Sequence, residues 1–430
     1  MNRPNPTQLD AEMQITMYET DMNREYLPND IFDTLSSEYI NPTGEEPGSL
    51  PNAIYLKLKA NADQASEVQV TMVKDLSGPP TIGANADQRN REETIVTKWF
   101  RQQYTDLSHA TTNQAYGKYA RDRAPYKVFE YRVEGLARYF KQYFGKMRRQ
   151  TVVEMQSENL EDAPHFLDPQ LNHNWFVPRL PNWQQPVWRE NQSAWAGAIV
   201  NALNTAGTGV GAAVSIYCLQ RLEEWARTEA FITPIEFEDG GDGYVLTLPT
   251  PQAVLLKNSI QAGQAGQVWR DAQAFSSEIR FMYPGLLGQF GGIRVVEDVR
   301  YPTLTIGGSG SSVSGSGSGS GAVTIQYRGM GLADDGSSDP RDRSASARQL
   351  GLLLGRAGIC EWMPEGFHWE WDYEQYDKYF GSGIFCSVGI KNVVYNKHDH
   401  DDSTAQQMGN AVVPFAAPPE LWPSAGLMVD

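Results

Sequence analysis

From Phe129 onward, apolar residues return every third or fourth position, at Phe129, Val133, Leu136, Phe140, Phe144 and Met147. That period lays one apolar stripe along a helix. With Pro125 suited to a first turn, the stripe predicts a helix from Tyr126 to Ser157, about 48 Å long at 1.5 Å per residue. Gly135 and Gly145 each weaken it by about 1 kcal/mol relative to alanine, so packing must hold it. A second helix is predicted from Ala212 to Thr228.

Elsewhere the period is two. Val68, Val70 and Met72 alternate with Gln69 and Thr71, and Ile95, Thr97 and Trp99 alternate with Val96, Lys98 and Phe100, which predicts a pair of strands. Between them Ser77-Gly78-Pro79-Pro80, Gly83 and the run Asp87 to Glu93 carry too little apolar surface to bury themselves. A two-stranded arm is marginal alone in water, so this one needs a surface to lie on. Further strands are predicted at Phe231 to Phe237 and Tyr244 to Leu248, around the turn Asp239 to Gly243, and at Ile293 to Val299 and Asn392 to Asn396. Residues 307–321, GGSGSSVSGSGSGSG, read as a flexible surface coil. Residues 1–60 hold one helical stretch, Gln8 to Tyr26, and then Pro- and Gly-punctuated segments, the look of an arm. Trp175, Trp183, Trp188 and Trp195 sit among prolines and predict irregular chain pinned by aromatics.

A chain of 430 residues, 40% of them hydrophobic, has material for a core shared by two or three units or by one elaborated unit. No run of about eighteen apolar residues occurs and the first residues lack the apolar stretch of a signal peptide, so a soluble, unexported chain is expected. Cys218, Cys360 and Cys386 have no CxxC spacing, which points to core residues in a reducing compartment. The formal charge of −16 argues against ordinary nucleic-acid binding, which draws its affinity from Lys and Arg. The charge is uneven. Residues 1–60 carry ten acidic and four basic residues, while residues 118–149 carry ten basic and three acidic. Solvated helix faces account for such an imbalance; complementary surfaces that meet between chains account for it as well.

Three stretches invite a chemical reading. Gly207-Thr208-Gly209-Val210-Gly211-Ala212 matches a dinucleotide-binding loop, yet the preceding SAWAGAIVNALN lacks the character of a buried parallel strand, so the glycines are assigned to a turn. His398-Asp399-His400-Asp401-Asp402 offers metal ligands but stands where a strand gives way to a polar tail. Trp369-Glu370-Trp371-Asp372 and Glu374 have the aromatic and acidic character of a sugar site, but no second carboxylate can be paired with them from the sequence, and a half-buried strand alternating Trp with acid is the better account. No nucleophile arrangement stands out, so no catalytic residue, cofactor or metal is assigned.

The order of segments says more. The strand pair with its polar tip, the long helix, then YVLTLPTPQAVLLK (244–257), FMYPGLLGQFGGIRVVED (281–298), ARQLGLLLGRAGICEWM (347–363) and GIFCSVGIKNVVYNKHDH (383–400) resemble the major capsid proteins of tailed bacteriophages, with the Hong Kong 97-like fold. Tyr283-Pro284-Gly285-Leu286-Leu287-Gly288 is similar to the family's Asn-Pro-led segment, and Arg348 with Leu352, Leu353, Leu354 and Gly355 to its Arg-bearing Leu-Leu-Gly helix.

The resemblance implies an α+β fold divided into an N-terminal arm (1–60), an extended hairpin loop (61–115), a peripheral domain with a spine helix (116–199), an axial domain (200–355), return strands of the peripheral domain (356–401) and a C-terminal tail (402–430). It implies a non-enzymatic shell protein without cofactor that partners itself in hexamers and pentamers, with scaffolding, decoration and portal proteins as further partners. Double-stranded DNA would be enclosed without sequence-specific binding, and no membrane is involved. The location implied is the virion, assembled in the host cytoplasm. Arg89, Arg91, Glu92, Glu93, Arg138, Lys141, Arg148 and Arg149 are the expected inter-subunit contacts. The competing reading is a carbohydrate-binding or glycan-degrading protein using residues 369–374.

Overall fold

The computed structural model describes residues 32, 36–39, 54–58, 67–73, 97–113, 125–154, 174–178, 214–237, 241–261, 286–306, 323–327, 347–374, 379–395, 406–407 and 409–416. The strands among them are β1 (Ser36–Tyr39), β2 (Tyr55–Leu58), β3 (Glu67–Val73), β4 (Thr97–Gln103), β5 (Thr105–Asn113), β6 (Ile235–Glu236), β7 (Asp242–Pro249), β8 (Leu286–Phe290) and β9 (Ile293–Asp298). They continue with β10 (Pro302–Ile306), β11 (Val323–Tyr327), β12 (Ala347–Leu354), β13 (Ile359–Glu374), β14 (Tyr379–Asn392), β15 (Val394–Tyr395), β16 (Gln406–Gln407) and β17 (Asn410–Ala416). The helices are α1 (Pro125–Glu154), α2 (Ile216–Thr228) and α3 (Thr250–Gln261).

α1 is the helix that the apolar stripe predicts. Leu136, Phe140, Phe144 and Met147 are buried along one side. Beyond Met147 burial spreads round most of the helix: Arg148, Arg149, Thr151, Val152 and Val153 are each at most 1% exposed, and Gln150 is half-buried. The reason is its position. One core brings the α1 residues together with Phe367, Trp369, Ile384, Val388 and Ile390 from β13 and β14, and with Val245, Val296, Leu352 and Val412 from β7, β9, β12 and β17. α1 therefore runs between two sheets, a five-stranded one in the order β1-β2-β13-β14-β5 and an eight-stranded one in the order β11-β10-β12-β7-β9-β8, to which β17 and β6 also pair.

The far face of the eight-stranded sheet is covered by α2 and α3. Tyr244, Leu246 and Leu248 of β7 face them with Leu219, Leu222, Trp225 and Leu256, while Val245 faces α1, the alternation of a pleated strand. With both faces covered, β7 is buried at every position after Asp242, and its pairing with β9 is parallel. Ser215 caps α2, its hydroxyl oxygen accepting from Cys218 N–H at 3.2 Å. The cap sets the start of α2 at Ile216, later than the predicted Ala212.

Three expectations are corrected. The Leu-Leu-Gly segment expected as a helix is strand β12, paired with β17 from Arg348 to Leu354 and with β7 from Leu352 to Leu354. Leu350, Leu352, Leu353 and Leu354 are all buried because the strand is covered on both faces, and such a continuous apolar run has no period that separates strand from helix. Residues 402–430, expected as a tail, supply β17, buried at all seven positions. Its outer edge is met by Trp175, with Phe176 N–H donating to Val412 O and Val412 N–H to Asn174 O, each at 2.9 Å. Residues 1–60, expected as an arm, place β1 and β2 in the five-stranded sheet, where β2 runs parallel to β13, and bury Phe32, Ile54 and Leu58.

Candidate assembly interface

The predicted strand pair is present as a separate ribbon. β3 and β4 pair antiparallel from Glu67↔Gln103 to Val73↔Thr97 and, among the described residues, join no other strand. The strand pattern places positions 68, 70 and 100 on one face, since Val70 and Phe100 are direct partners. The ribbon is anchored at one end. β4 breaks at Tyr104, whose ring stands edge-on to Trp362 with centroids 5.1 Å apart, and the chain continues as β5 alongside β14. Gly389 of β14 permits that seat, because a Cβ there would lie 1.8 Å from the Gln103 carbonyl oxygen. The connection 74–96, with Arg89, Arg91, Glu92 and Glu93, lies outside the described residues.

Two of the expected contact residues are internal instead. Arg148 donates from Nε and Nη2 to Glu361 Oε2 at 3.3 and 3.1 Å. Arg149 meets Asp298 with two parallel bonds, Nε to Oδ2 and Nη2 to Oδ1, both 2.9 Å, and donates from Nη1 to the Gly145 carbonyl at 2.9 Å. The Phe32 ring lies 5.3 Å from the Arg149 guanidinium carbon. Both side chains are 1% exposed, so neither reaches another chain. Their positions off the apolar stripe predict exposure, but the stripe ceases to mark burial where α1 enters between the sheets. Arg138 and Lys141 belong to the earlier part of α1.

The pairs tie α1 to both sheets, Glu361 being in β13 and Asp298 in β9. A buried amide cluster adds a third tie: Asn392 Nδ2 donates to Thr151 O at 2.6 Å, and Asn410 Nδ2 donates to Asn392 Oδ1 at 3.0 Å and to Gly358 O at 3.2 Å. At this point Gly409 and Gly358 cross so closely that a Cβ on Gly409 would lie 2.2 Å from Gly358 Cα. Sequence reasoning missed Glu361, Asp298 and the asparagines, since their partners lie far along the chain.

The competing chemistry finds no support. Trp369 is 3% exposed and packed in the α1 core, so its ring face is closed to a sugar, while Glu370 on the opposite face is exposed. That is the half-buried strand. Residues 207–212 and 398–402 lie outside the described residues. Among the described residues no group of three His, Cys, Asp or Glu is arranged to hold a metal, and no helix is long and apolar enough to cross a membrane. Cys218, Cys360 and Cys386 are free and buried, as the sequence suggests. Burial pushes the Cys218 and Cys386 thiols up to about 12 and the Cys360 thiol further still, so all three are protonated and inert.

Two sheets gripping a long helix, with a separate two-stranded ribbon, define an α+β fold. Solved capsid chains share it. The capsid of Ralstonia phage GP4 matches with a TM-score of 0.55 at 15% identity, over 90% of this chain and 91% of that one. The cyanophage Pam1 capsid matches with a TM-score of 0.55 at 13% identity, over 92% and 94%. The capsid of Helicobacter pylori bacteriophage KHP30 matches with a TM-score of 0.52 at 13% identity, over 89% and 90%. No protein-family model matches the sequence, and no curated protein matches it.

Proposed function

We propose that this chain is the major capsid protein of a tailed double-stranded DNA bacteriophage, and that its copies assemble into the icosahedral head around the genome. The observation that carries the reading is a shared fold over 90% of the chain with a phage capsid protein. The ribbon supports it: a two-stranded sheet that pairs with no further strand among the described residues is marginal by itself, and a neighbouring subunit offers a surface to cover it. In this reading the fold is Hong Kong 97-like, with α1 as the spine of a peripheral domain and the eight-stranded sheet with α2 and α3 in the axial domain. β17 joins that domain rather than a tail. The protein acts by self-association in hexamers and pentamers, without catalysis or cofactor, beside scaffolding, decoration and portal proteins. Its place is the virion, built in the host cytoplasm.

Single contacts need only millimolar to micromolar strength, roughly −4 to −8 kcal/mol, because each subunit makes several at once. Arg89, Arg91, Glu92, Glu93, Arg138 and Lys141 are the contact residues we retain. The net charge of −16 suits a container that releases its DNA, since a basic lining would hold every phosphate it met. Sedimentation and electron microscopy of the purified chain test the reading. Closed particles are expected, and a sharp monomer in every buffer overturns it.

A further inference from the structure

The eight-stranded sheet contains a junction where one strand gives up its place to another, and the register fixes where it lies. β17 takes one edge of β12 from Arg348 to Leu354, so β7 and β10, which both pair with β12, share its other edge end to end. β7 holds that edge as far as Leu352↔Thr247, and β10 takes it over at Gln349↔Thr303. Three residues of β12, about 10 Å, separate the two pairings. Three residues of chain also carry Thr247 to Thr250, where α3 begins, so Thr250 reaches the level of Thr303. Asp298 of β9 is the register partner of Pro249, and residues 299–301 cross from it to β10, with Arg300 N–H donating to Asp298 Oδ1 at 3.0 Å. Thr303 and Gln349 are direct partners and project to the same face, and Gln349 Oε1 accepts from Gln252 Nε2 in the first turn of α3 at 2.9 Å. Thr303, 3% exposed, is thus aimed at the start of α3.

Three segments meeting at this junction each carry a buried polar atom that has no hydrogen-bond partner among the described residues: Thr250 Oγ1, Arg300 Nη1 and Thr303 Oγ1. α3 also starts without a side-chain cap from Pro249 or Thr250, since proline has no acceptor and the Thr250 hydroxyl accepts nothing. The first-turn N–H groups of a helix carry partial positive charge, and no acidic residue lies in this turn to meet it. Gln252 is committed elsewhere: it donates to Gln349 Oε1 and to Ala416 O, each at 2.9 Å, and accepts from Val214 N–H at 3.2 Å. Asp298, two residues before Arg300, is already held by two bonds from Arg149. A guanidinium, two hydroxyls and a helix N-terminus all offer hydrogens, and a ligand with several acceptor oxygens and negative charge answers them together. The turn is open to solvent at Val299, 70% exposed, and Arg300 beside it is half-buried.

We propose that this junction is a binding site for a small oxyanion of the phosphate class, held by Arg300, the hydroxyls of Thr250 and Thr303 and the N-terminus of α3. Bound there, the ion ties the start of β10 to the start of α3. Calorimetric titration of the full-length, unassembled subunit with inorganic phosphate at constant ionic strength tests it. One phosphate per chain is expected, and the thermal unfolding midpoint is expected to rise with the logarithm of the phosphate concentration once the site fills. Sodium chloride at the same ionic strength is expected to give no such rise. Arg300→Gln, on the open turn, and Thr303→Val, which keeps the shape of the side chain, are each expected to weaken binding about tenfold or more. No binding, or binding that both variants leave unchanged, overturns the proposal. A rise that chloride reproduces is screening alone and overturns it too. If Thr303→Val does not fold, Arg300→Gln decides. The site lies within one chain, so each of these outcomes leaves the shell reading where it stands.

Discussion

Arg148 and Arg149 are neighbours in sequence, yet one bonds to the five-stranded sheet and the other to the eight-stranded sheet. Removing one partner of a buried pair leaves the other charge without compensation, which costs about 3–5 kcal/mol. Arg149→Ala is therefore expected to lower subunit stability by about that amount, measured by chemical denaturation of the unassembled protein. Arg149→Ala with Asp298→Ala together is expected to recover part of the loss, because no lone carboxylate then remains. The sequence placed both arginines on the surface, since it shows the spacing along one helix and not what closes over its far side. The carboxylates that hold them lie 213 and 149 positions away, and no local pattern announces a bond of that span.

Elements were legible where one face meets water. α1 followed from its stripe and the ribbon from its alternation, both of which survive as patterns because half of each element stays polar. β12 and β17 are illegible for the opposite reason: covered on both faces, Leu350 to Leu354 and Ala411 to Ala416 are runs without a polar residue and show no period. Where the pattern is plain, substitutions have a calculable effect. Gly135 is exposed in α1 and a Cβ there meets nothing within 4 Å. Gly135→Ala is expected to stabilise the subunit by about 1 kcal/mol, read as a higher denaturation midpoint. The Gly/Ser run gives a second prediction. It connects β10 to β11, whose ends Ile306 and Val323 are direct partners in the sheet. A connection between adjacent strand ends needs only a tight turn. Replacing Gly307 to Gly321 with a short turn is expected to leave thermal stability and particle yield unchanged, and loss of particles would make the run a contact surface.

At the scale of the molecule, the order of segments carried the fold when no single motif did. The two sheets and the central helix share one core, whereas the ribbon forms a separate two-stranded sheet among the described residues, seated at Tyr104 on Trp362 and at Gln103 on Gly389. Subunit folding and assembly should then separate. Deleting Gly78 to Arg91 and closing the ribbon with a short turn is expected to give a soluble subunit with an unchanged unfolding transition that forms no particles by light scattering. Cooperative unfolding of the deleted chain would place the tip inside the subunit. What the sequence could not show was which segments finish the core, because that depends on how distant parts of the chain meet.

β17 adds a matter of timing. Among the described residues it is the last strand in chain order, and it pairs with β12 from Arg348 to Leu354. Until residue 416 has emerged, the edge of β12 and the backbone of Asn174 to Phe176 lack the partner that both require. Domains tend to fold as units during synthesis, but this arrangement defers closure of the eight-stranded sheet until residues 410–416 have been made. A chain that stops short of residue 416 is therefore expected to leave one edge of β12 open, a row of backbone donors and acceptors that another strand could pair with.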